Sequence, residues 1–449
     1  MPHTFDLVVI GSGAAAATVA GRCRSAGWSV ALVESGPLGG TCALRGCDPK
    51  KILVGVAAAI DAARNLDGKG VATGSLALDW GALMRFKRTF TDPVPEQREA
   101  SLRRQGIVVF HGTARFTGPS SLDVGGEAVE AARAIVIATG ATPVRLPIDG
   151  ADLLVTSDAF LDLPTLPASI AFVGGGFISF EFAHVAARAG ARVTILHGDD
   201  RPLAAFEPDL VDALVARTRA IGVDVRLGTE VDAVARDGDG FRVRARGGAA
   251  VDAALVVHGA GRVPDLEALD CAAGGVDVGR QGVIVDEAFR SVSNPRVFAA
   301  GDCAASGGPP LTPVAGYEAR ILADGLLDAG ARTPDYTVVP SAVYTLPPLA
   351  RVGLGEAEAR QRGHEVDVHA IDTSAWYSTR RLGESVSRSK VLVERRSRRV
   401  LGAHLLGPGA DELINLFALA MRQRVPVEDL ADAIWAYPTH ASDVPHLVR

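Results

Sequence analysis

Long apolar runs are missing from this chain. None approaches the roughly 18 uninterrupted apolar residues that a bilayer span needs, so no transmembrane helix is expected. The N-terminus, MPHTFDLVVIG, has no basic segment ahead of its apolar run and enters a strand directly, so no secretory leader is read. Cysteine is scarce, at 5 residues in 449. That is too few for the disulfide framework of a secreted protein, and a cytoplasmic location is expected. Positive charge is not in excess either: 46 Lys and Arg face 52 Asp and Glu, a net charge of -6. Nothing therefore favours a nucleic-acid partner. The two densest basic stretches, RRLGESVSRSK and ERRSRRV, read as solvated strands and turns.

Glycine, at 50 residues, is plentiful and patterned. At this length more than one hydrophobic core is expected. FDLVVI (5–10) is an apolar run of strand length, followed by GSGAAA, an alanine-rich helical pattern and WSVALVE. Strand, tight turn, helix and a second strand ending in Glu34 make a dinucleotide-binding unit. Gly11 and Gly13 let the backbone turn and approach a pyrophosphate, and Ala16 keeps the helix near the sheet. The helix N-terminus meets phosphate charge, and Glu34 is placed to accept from a ribose hydroxyl. A purely structural glycine turn is the competing reading.

The pattern returns where SIAFV leads into GGGFIS. Gly174 and Gly176 repeat the first two positions, while Ser179 replaces the third small residue. Two such units imply two nucleotides. The second strand of this unit ends in His197, followed by Gly198, Asp199, Asp200 and Arg201. His197 carries no carboxylate for a 2′-hydroxyl, and Arg201 lies close by. A 2′-phosphate is tolerated, which favours NADPH and leaves NADH possible. His197 as an ordinary surface residue at a strand end is equally open.

Three further strand-to-turn segments carry Thr139 and Gly140 (ARAIVIATGATP), Gly261, Arg262 and Pro264 (AALVVHGAGRVPD), and Gly301 and Asp302 (NPRVFAAGDCAA). Asp302 is expected at a helix start, where it either binds a sugar or ribityl hydroxyl or caps the helix. After these the character changes. PDYTVVPSAVYTLPPLARVGL is β-rich, VLVERRSRRVLGAHLLG reads as a hairpin, and ADELINLFALAMRQ is an amphipathic helix with Leu413, Leu416, Phe417 and Ala420 on one face. The fold class is α/β, with two Rossmann-like nucleotide-binding domains and a C-terminal α+β interface domain. Boundaries are expected at 1–147 and 265–335 for the first nucleotide domain, 148–264 for the second, and 336–449 for the interface domain.

The sharpest chemical signal is GGTCALRGCDPKK (39–51). A metal site needs further Cys or His ligands at suitable spacing, and none lies near Cys42 and Cys47. A redox pair fits better than a structural disulfide in a reducing compartment. Five residues along a regular helix advance about 7.5 Å, and a disulfide wants Cα atoms within about 7 Å. The pair can therefore bridge only on a distorted turn, which Gly46 allows. Such a bridge is labile and suits repeated opening and closing. PKKILVGVAAAIDAARN reads as the helix that follows, with Pro49 in its first turn. Its free N–H groups and Lys51 are expected to lower the pKa of Cys47, and Asp48 to oppose them. Of the other cysteines, Cys23 is expected in the core, Cys271 in a polar loop, and Cys303 in a packing role.

Taken together, these motifs resemble the flavin-dependent pyridine nucleotide–disulfide reductases: glutathione, dihydrolipoamide, mycothione and mercuric reductases. The resemblance covers nearly the whole chain. It implies FAD on Gly11, Gly13, Ala16 and Glu34, with Thr41, Lys51, Thr139, Gly140 and Asp302 around it. It implies NAD(P)H on Gly174, Gly176 and their neighbours, including Gly261. Phe177 takes the place of an aromatic gate over the flavin, and Glu181 pairs with Lys51. Cys47 becomes the thiolate beside the flavin, and Cys42 attacks the acceptor. The C-terminal domain forms a homodimer interface and completes the partner's active site.

One motif departs from this resemblance. Disulfide-reducing members carry His-Pro-Thr near the C-terminus, followed by a Glu that orients the His. Here the segment reads WAYPTHASD. Tyr437 stands in the His position, Ser442 in the Glu position, and Asp443 one later. A phenol with a pKa of about 10 is a poor base where an imidazole of about 6.5 is a good one. His440 is a candidate replacement, His446 a weaker one, and water or Asp48 are others. Mercuric reductases also carry Tyr, but they use an extra C-terminal cysteine pair, and this chain reads HLVR at its end. A full mercuric reductase is therefore not expected. The reading placed first is an oxidoreductase with an atypical acceptor: a metal ion, a quinone or a persulfide-like species. The second is a low-molecular-weight disulfide reductase with a substitute base. The third is a non-catalytic FAD- and NAD(P)H-binding sensor.

Overall fold

The computed structural model describes residues 2–330 and 332–449, and the chain divides into two compact units. The first comprises Met1–Lys50, Phe86–Val144 and Gly261–Tyr336. Its opening strand, β1 (His3–Ile10), is buried over its last four residues. Helix α1 (Ala14–Ser25) follows at once, then β2 (Val30–Glu34). Small residues let α1 lie close: Ala15, Ala16, Val19 and Ala20 are all buried. The parallel ladder runs Val108–His111, β2, β1, Glu127–Ile137 and Val297–Ala299. Ile10 sits level with Val33 on one side and Ile137 on the other. The chain thus turns away from the sheet at the carboxyl ends of adjacent strands, where α/β proteins bind ligands.

The second unit comprises Lys51–Arg85, Arg145–Ala260 and Thr337–Arg449. It holds a second parallel sheet, ordered Asp224–Arg226, Arg192–Leu196, Ser169–Val173 and Leu255–His258. Helix Phe177–Arg188 packs on it with almost every residue buried. A separate five-stranded antiparallel sheet carries the expected hairpin as Arg388–Glu394 and Arg399–Leu406. The expected amphipathic helix covers it as Ala410–Arg422. Its buried residues are Ala410, Ile414, Phe417 and Ala420, so Ile414 belongs to the packed face, with Leu413 and Leu416 at its flanks. Two Rossmann-like layers and an α+β layer are therefore present. Among the described residues no helix is long and apolar enough to cross a membrane.

Three expectations change here. No helix starts at Asp302: the chain turns there, and the next helix begins at Thr312. A capping role for Asp302 falls with it. Cys271 lies in a turn, as expected, but its surroundings are apolar: it is buried with Leu266, Leu269 and Val276. The basic stretch RRLGESVSRSK is not wholly solvated. Its last residue, Lys390, is buried with Nζ 2.8 Å from Glu207, 2.9 Å from Asp209 and 3.4 Å from Glu356. Glu207 also accepts the backbone N–H of Glu356 at 2.8 Å. Removing the ammonium would leave Glu207 buried without its cation, which costs about 3 kcal/mol or more. Lys390→Met should therefore lower the free energy of unfolding by about 3 kcal/mol in a urea titration. A change near zero would show that these carboxylates relax into water.

Candidate active site

Residues 39–51 fold as two consecutive helices, α2 (Gly40–Arg45) and α3 (Cys47–Asn65), with Gly46 between them. Gly46 takes φ -141° and ψ -116°. A Cβ there would lie 2.8 Å from the Thr41 carbonyl oxygen, so a side chain is excluded at the break. This is the distorted turn that the spacing demands. It puts Cys42 inside α2 and makes Cys47 the first residue of α3. Both cysteines are free in the structure. Cys47 Sγ lies 3.5 Å from Thr312 Oγ1, at the start of helix Thr312–Leu326. Cys42 Sγ lies 4.0 Å from Asp48 Oδ1.

The two thiols differ sharply in acidity. A hydrogen bond from Cys42 is the largest influence holding Cys47 down to about 6. Burial opposes it, Thr312 and Lys50 reinforce it, and Asp48 opposes it again. The same hydrogen bond, then burial, pushes Cys42 far above the usual thiol range. One proton is thus shared unequally, and Cys47 is the thiolate. The helping cation is Lys50, where the sequence pointed to Lys51. Lys51 Nζ lies instead 2.9 Å from Asp411 Oδ2 and 3.8 Å from the centre of the Tyr344 ring. The Tyr344 N–H donates to Glu181 Oε1 at 2.8 Å. Lys51 and Glu181 therefore converge on one residue, Tyr344, which the sequence did not single out.

The first glycine turn is tightly specified. Gly11 has φ +108°, and a Cβ there would lie 2.4 Å from the Ala138 carbonyl oxygen. Ser12 donates to Glu34 Oε2 at 2.5 Å, and Gly36 N–H donates to Glu34 Oε1 at 3.0 Å. Gly13 caps α1 without a side-chain hydrogen bond. Space beside Gly13 and Gly140 is open, and Thr139 Oγ1 is buried without an oxygen or nitrogen partner. Burial pushes the Asp302 carboxyl up, with Arg262 opposing. An uncapped helix N-terminus, an open glycine lining and an orphaned hydroxyl fit a flavin dinucleotide. Gly40 packs against this turn, since a Cβ there would lie 2.5 Å from Gly13 Cα.

In the second unit Gly176 caps helix Phe177–Arg188, again without a side-chain hydrogen bond. Gly174, at φ +106°, packs on Ala260, and Gly259 abuts Ser179. Ser179 is fully buried with its hydroxyl unpartnered. Phe177 is half exposed and Glu181 is buried. His197 Nδ1 accepts from the Gly175 N–H at 3.1 Å, and Arg201 pairs with Asp212 at 3.1 Å. Near the C-terminus Tyr437 is 79% exposed. His440 lies half-buried beside Gly409, and burial, then Arg381, hold its pKa below the usual imidazole value, with Asp443 opposing. Asp443 accepts from the Ser378 hydroxyl.

Thr312 and Ser12 were also missed in the sequence. Thr312 lies far along the chain from Cys47 and belongs to no motif. Ser12 could have been read from GSG, between two glycines whose turn brings it back to Glu34.

The comparisons with known proteins agree with this geometry. Residues 5–319 match the pyridine nucleotide-disulphide oxidoreductase family, and residues 339–448 match that family's dimerisation domain. A glutathione reductase from Burkholderia cepacia is 32% identical over 98% of each chain. A mercuric reductase from Streptomyces lividans is 33% identical over 98% of this chain and 94% of that one. Among solved structures, the HOCl-induced flavoprotein disulfide reductase RclA from Escherichia coli superposes with a TM-score of 0.89 at 29% identity, covering 99% of both chains. A Cu(II) complex of an RclA mutant superposes at 0.90, also at 29% identity over 99% of both chains. The chain belongs to the pyridine nucleotide-disulphide oxidoreductase family. It is a flavin-dependent oxidoreductase of the disulfide type that uses NAD(P)H.

In the reduced protein, alkylation of Cys47 should rise through a midpoint near pH 6, with thiolate above and thiol below. Thr312→Val should move that midpoint upward. A midpoint near the ordinary thiol value of about 8.5 would mean that the two sulfurs do not share the proton as described.

Proposed function

We propose that this enzyme passes electrons from NAD(P)H, by way of FAD and the Cys42–Cys47 pair, to a thiophilic metal ion, with Cu(II) as the first to test. The reading is supported by the hydrogen bond to Cys47 and the burial that push the Cys42 thiol up, together with Tyr437 standing where the resemblance puts a base. A disulfide substrate needs an acid for its leaving thiolate. A metal ion does not, because coordination itself expels the thiol proton. The reaction balances as NAD(P)H and two Cu(II) giving NAD(P)+, a proton and two Cu(I). Mercuric reductase and RclA relatives, the latter with Cu(II) complexes, are compatible with it.

FAD, when bound, accepts a hydride and returns an electron pair. The chain's own residues do the rest. Gly11, Gly13, Ala16, Glu34, Thr41, Thr139, Gly140 and Asp302 would hold the flavin dinucleotide, and Gly174, Gly176 and Phe177 would line the nicotinamide nucleotide's path. Cys47 holds negative charge without a proton, and Cys42 takes the metal ion. Lys51 and Glu181 are fixed about Tyr344. In a homodimer the Tyr437 segment would complete the partner's site, in the cytoplasm.

The contact between Cys42 and Asp48 favours a second reading, a disulfide reductase whose carboxylate in cis handles the proton. Parallel assays of NADPH-dependent Cu(I) formation, trapped by a Cu(I) chelator, and of glutathione disulfide reduction separate the two. The wild type should reduce Cu(II), Cys42→Ser should lose that activity, and Asp48→Asn should keep it. Tyr437→His should raise disulfide turnover by about 100-fold, the usual worth of a placed acid–base group. Efficient disulfide turnover by the wild type, lost in Asp48→Asn, would overturn the metal reading.

A further inference from the structure

His197 ends the strand Arg192–Leu196, where nucleotide-binding folds place a residue that touches the ribose. Its ring does something else here. Nδ1 lies 3.1 Å from the Gly175 backbone nitrogen, and Nε2 lies 3.1 Å from the Arg201 carbonyl oxygen. Gly175 can only donate and Arg201 O can only accept, so Nδ1 is bare and Nε2 carries the proton. The ring packs close against Gly175, where a Cβ would come within 2.6 Å of His197 Cγ. The backbone closes the same loop: Leu203 N–H donates to Gly175 O at 3.1 Å.

We infer that His197 is a positioning residue, a neutral clasp that holds the Gly174–Gly176 turn against residues 198–203 and so sets the nicotinamide nucleotide's site. Both ring nitrogens are used within the protein, which leaves the imidazole no hand for the ribose.

The charges facing the ring are few. Asp199 Oδ2 is 3.9 Å from Nε2. The Arg201 guanidinium is held by Asp212 at 3.1 Å. Arg226 meets His197 through its carbonyl at 2.9 Å, with its guanidinium 2.8 Å from Asp224. Glu230, beside Gly198, is paired with Arg246 at 2.7 Å. Gly175 and Pro202 bring no charge.

The test is binding of NADPH and of NADH to the flavin-loaded enzyme by calorimetry, with nitrogen NMR of the histidine rings. His197→Ala should weaken both nucleotides about tenfold while kcat at saturation and Cys47 alkylation stay near wild type. His197→Asn, whose Oδ1 can accept from Gly175, should recover most of the loss. The NMR should show Nδ1 bare and Nε2 protonated at neutral pH. Unchanged affinity in His197→Ala, no recovery in His197→Asn, or the opposite tautomer would each overturn the inference. If His197→Ala does not fold, the wild-type NMR and the Asn variant still decide it.

Discussion

Everything chemical in this protein depends on the interruption of a helix at Gly46. Two cysteines five residues apart cannot bond on a continuous helix. Ending α2 at Arg45 and starting α3 at Cys47 brings the thiols within hydrogen-bonding reach and leaves one sulfur at a helix N-terminus. Helix N-termini favour negative charge. The Thr312 hydroxyl and Lys50 add to that preference from outside the turn. The outcome is an asymmetric pair: the Cys47 thiol is held down and the Cys42 thiol pushed up by the hydrogen bond between them, with Asp48 Oδ1 4.0 Å from Cys42 Sγ.

The rest of the fold supplies two nucleotide sites built by one device and then individualised. Each begins with a glycine at positive φ whose missing Cβ lets a neighbouring strand end approach, and each ends on an uncapped helix N-terminus. They part at the residue that ends the second strand. Glu34 is an acceptor braced by Ser12 and Gly36, suited to a ribose hydroxyl. His197 is spent on its own turn. Repetition of the motif therefore does not mean repetition of the ligand contacts.

Much of this was legible in the sequence because it is local. Strand–glycine–helix order, the hairpin, the amphipathic helix and the need for a break between the cysteines all follow from spacing and residue type. What escaped depends on partners remote in the chain. Thr312 meets Cys47, Asp411 and Tyr344 meet Lys51, and Glu207 buries Lys390 within a stretch that reads as solvated. Asp302 misled for another reason. An acid after a strand and a glycine is a common helix start, but here the chain turns first and the helix waits until Thr312. Lys50 and Lys51 were confused because adjacent residues on a helix point about 100° apart, and only the fold decides which one faces the sulfur.

The most direct test is an anaerobic titration of the flavin-loaded enzyme with NADPH, and in parallel NADH, followed through the flavin spectrum. A live Cys42–Cys47 disulfide beside the flavin predicts uptake of about two hydride equivalents, one for each redox group, with a long-wavelength thiolate–flavin band after the first. Bleaching that is complete after one equivalent, with no such band, would contradict the account and leave the cysteine pair idle.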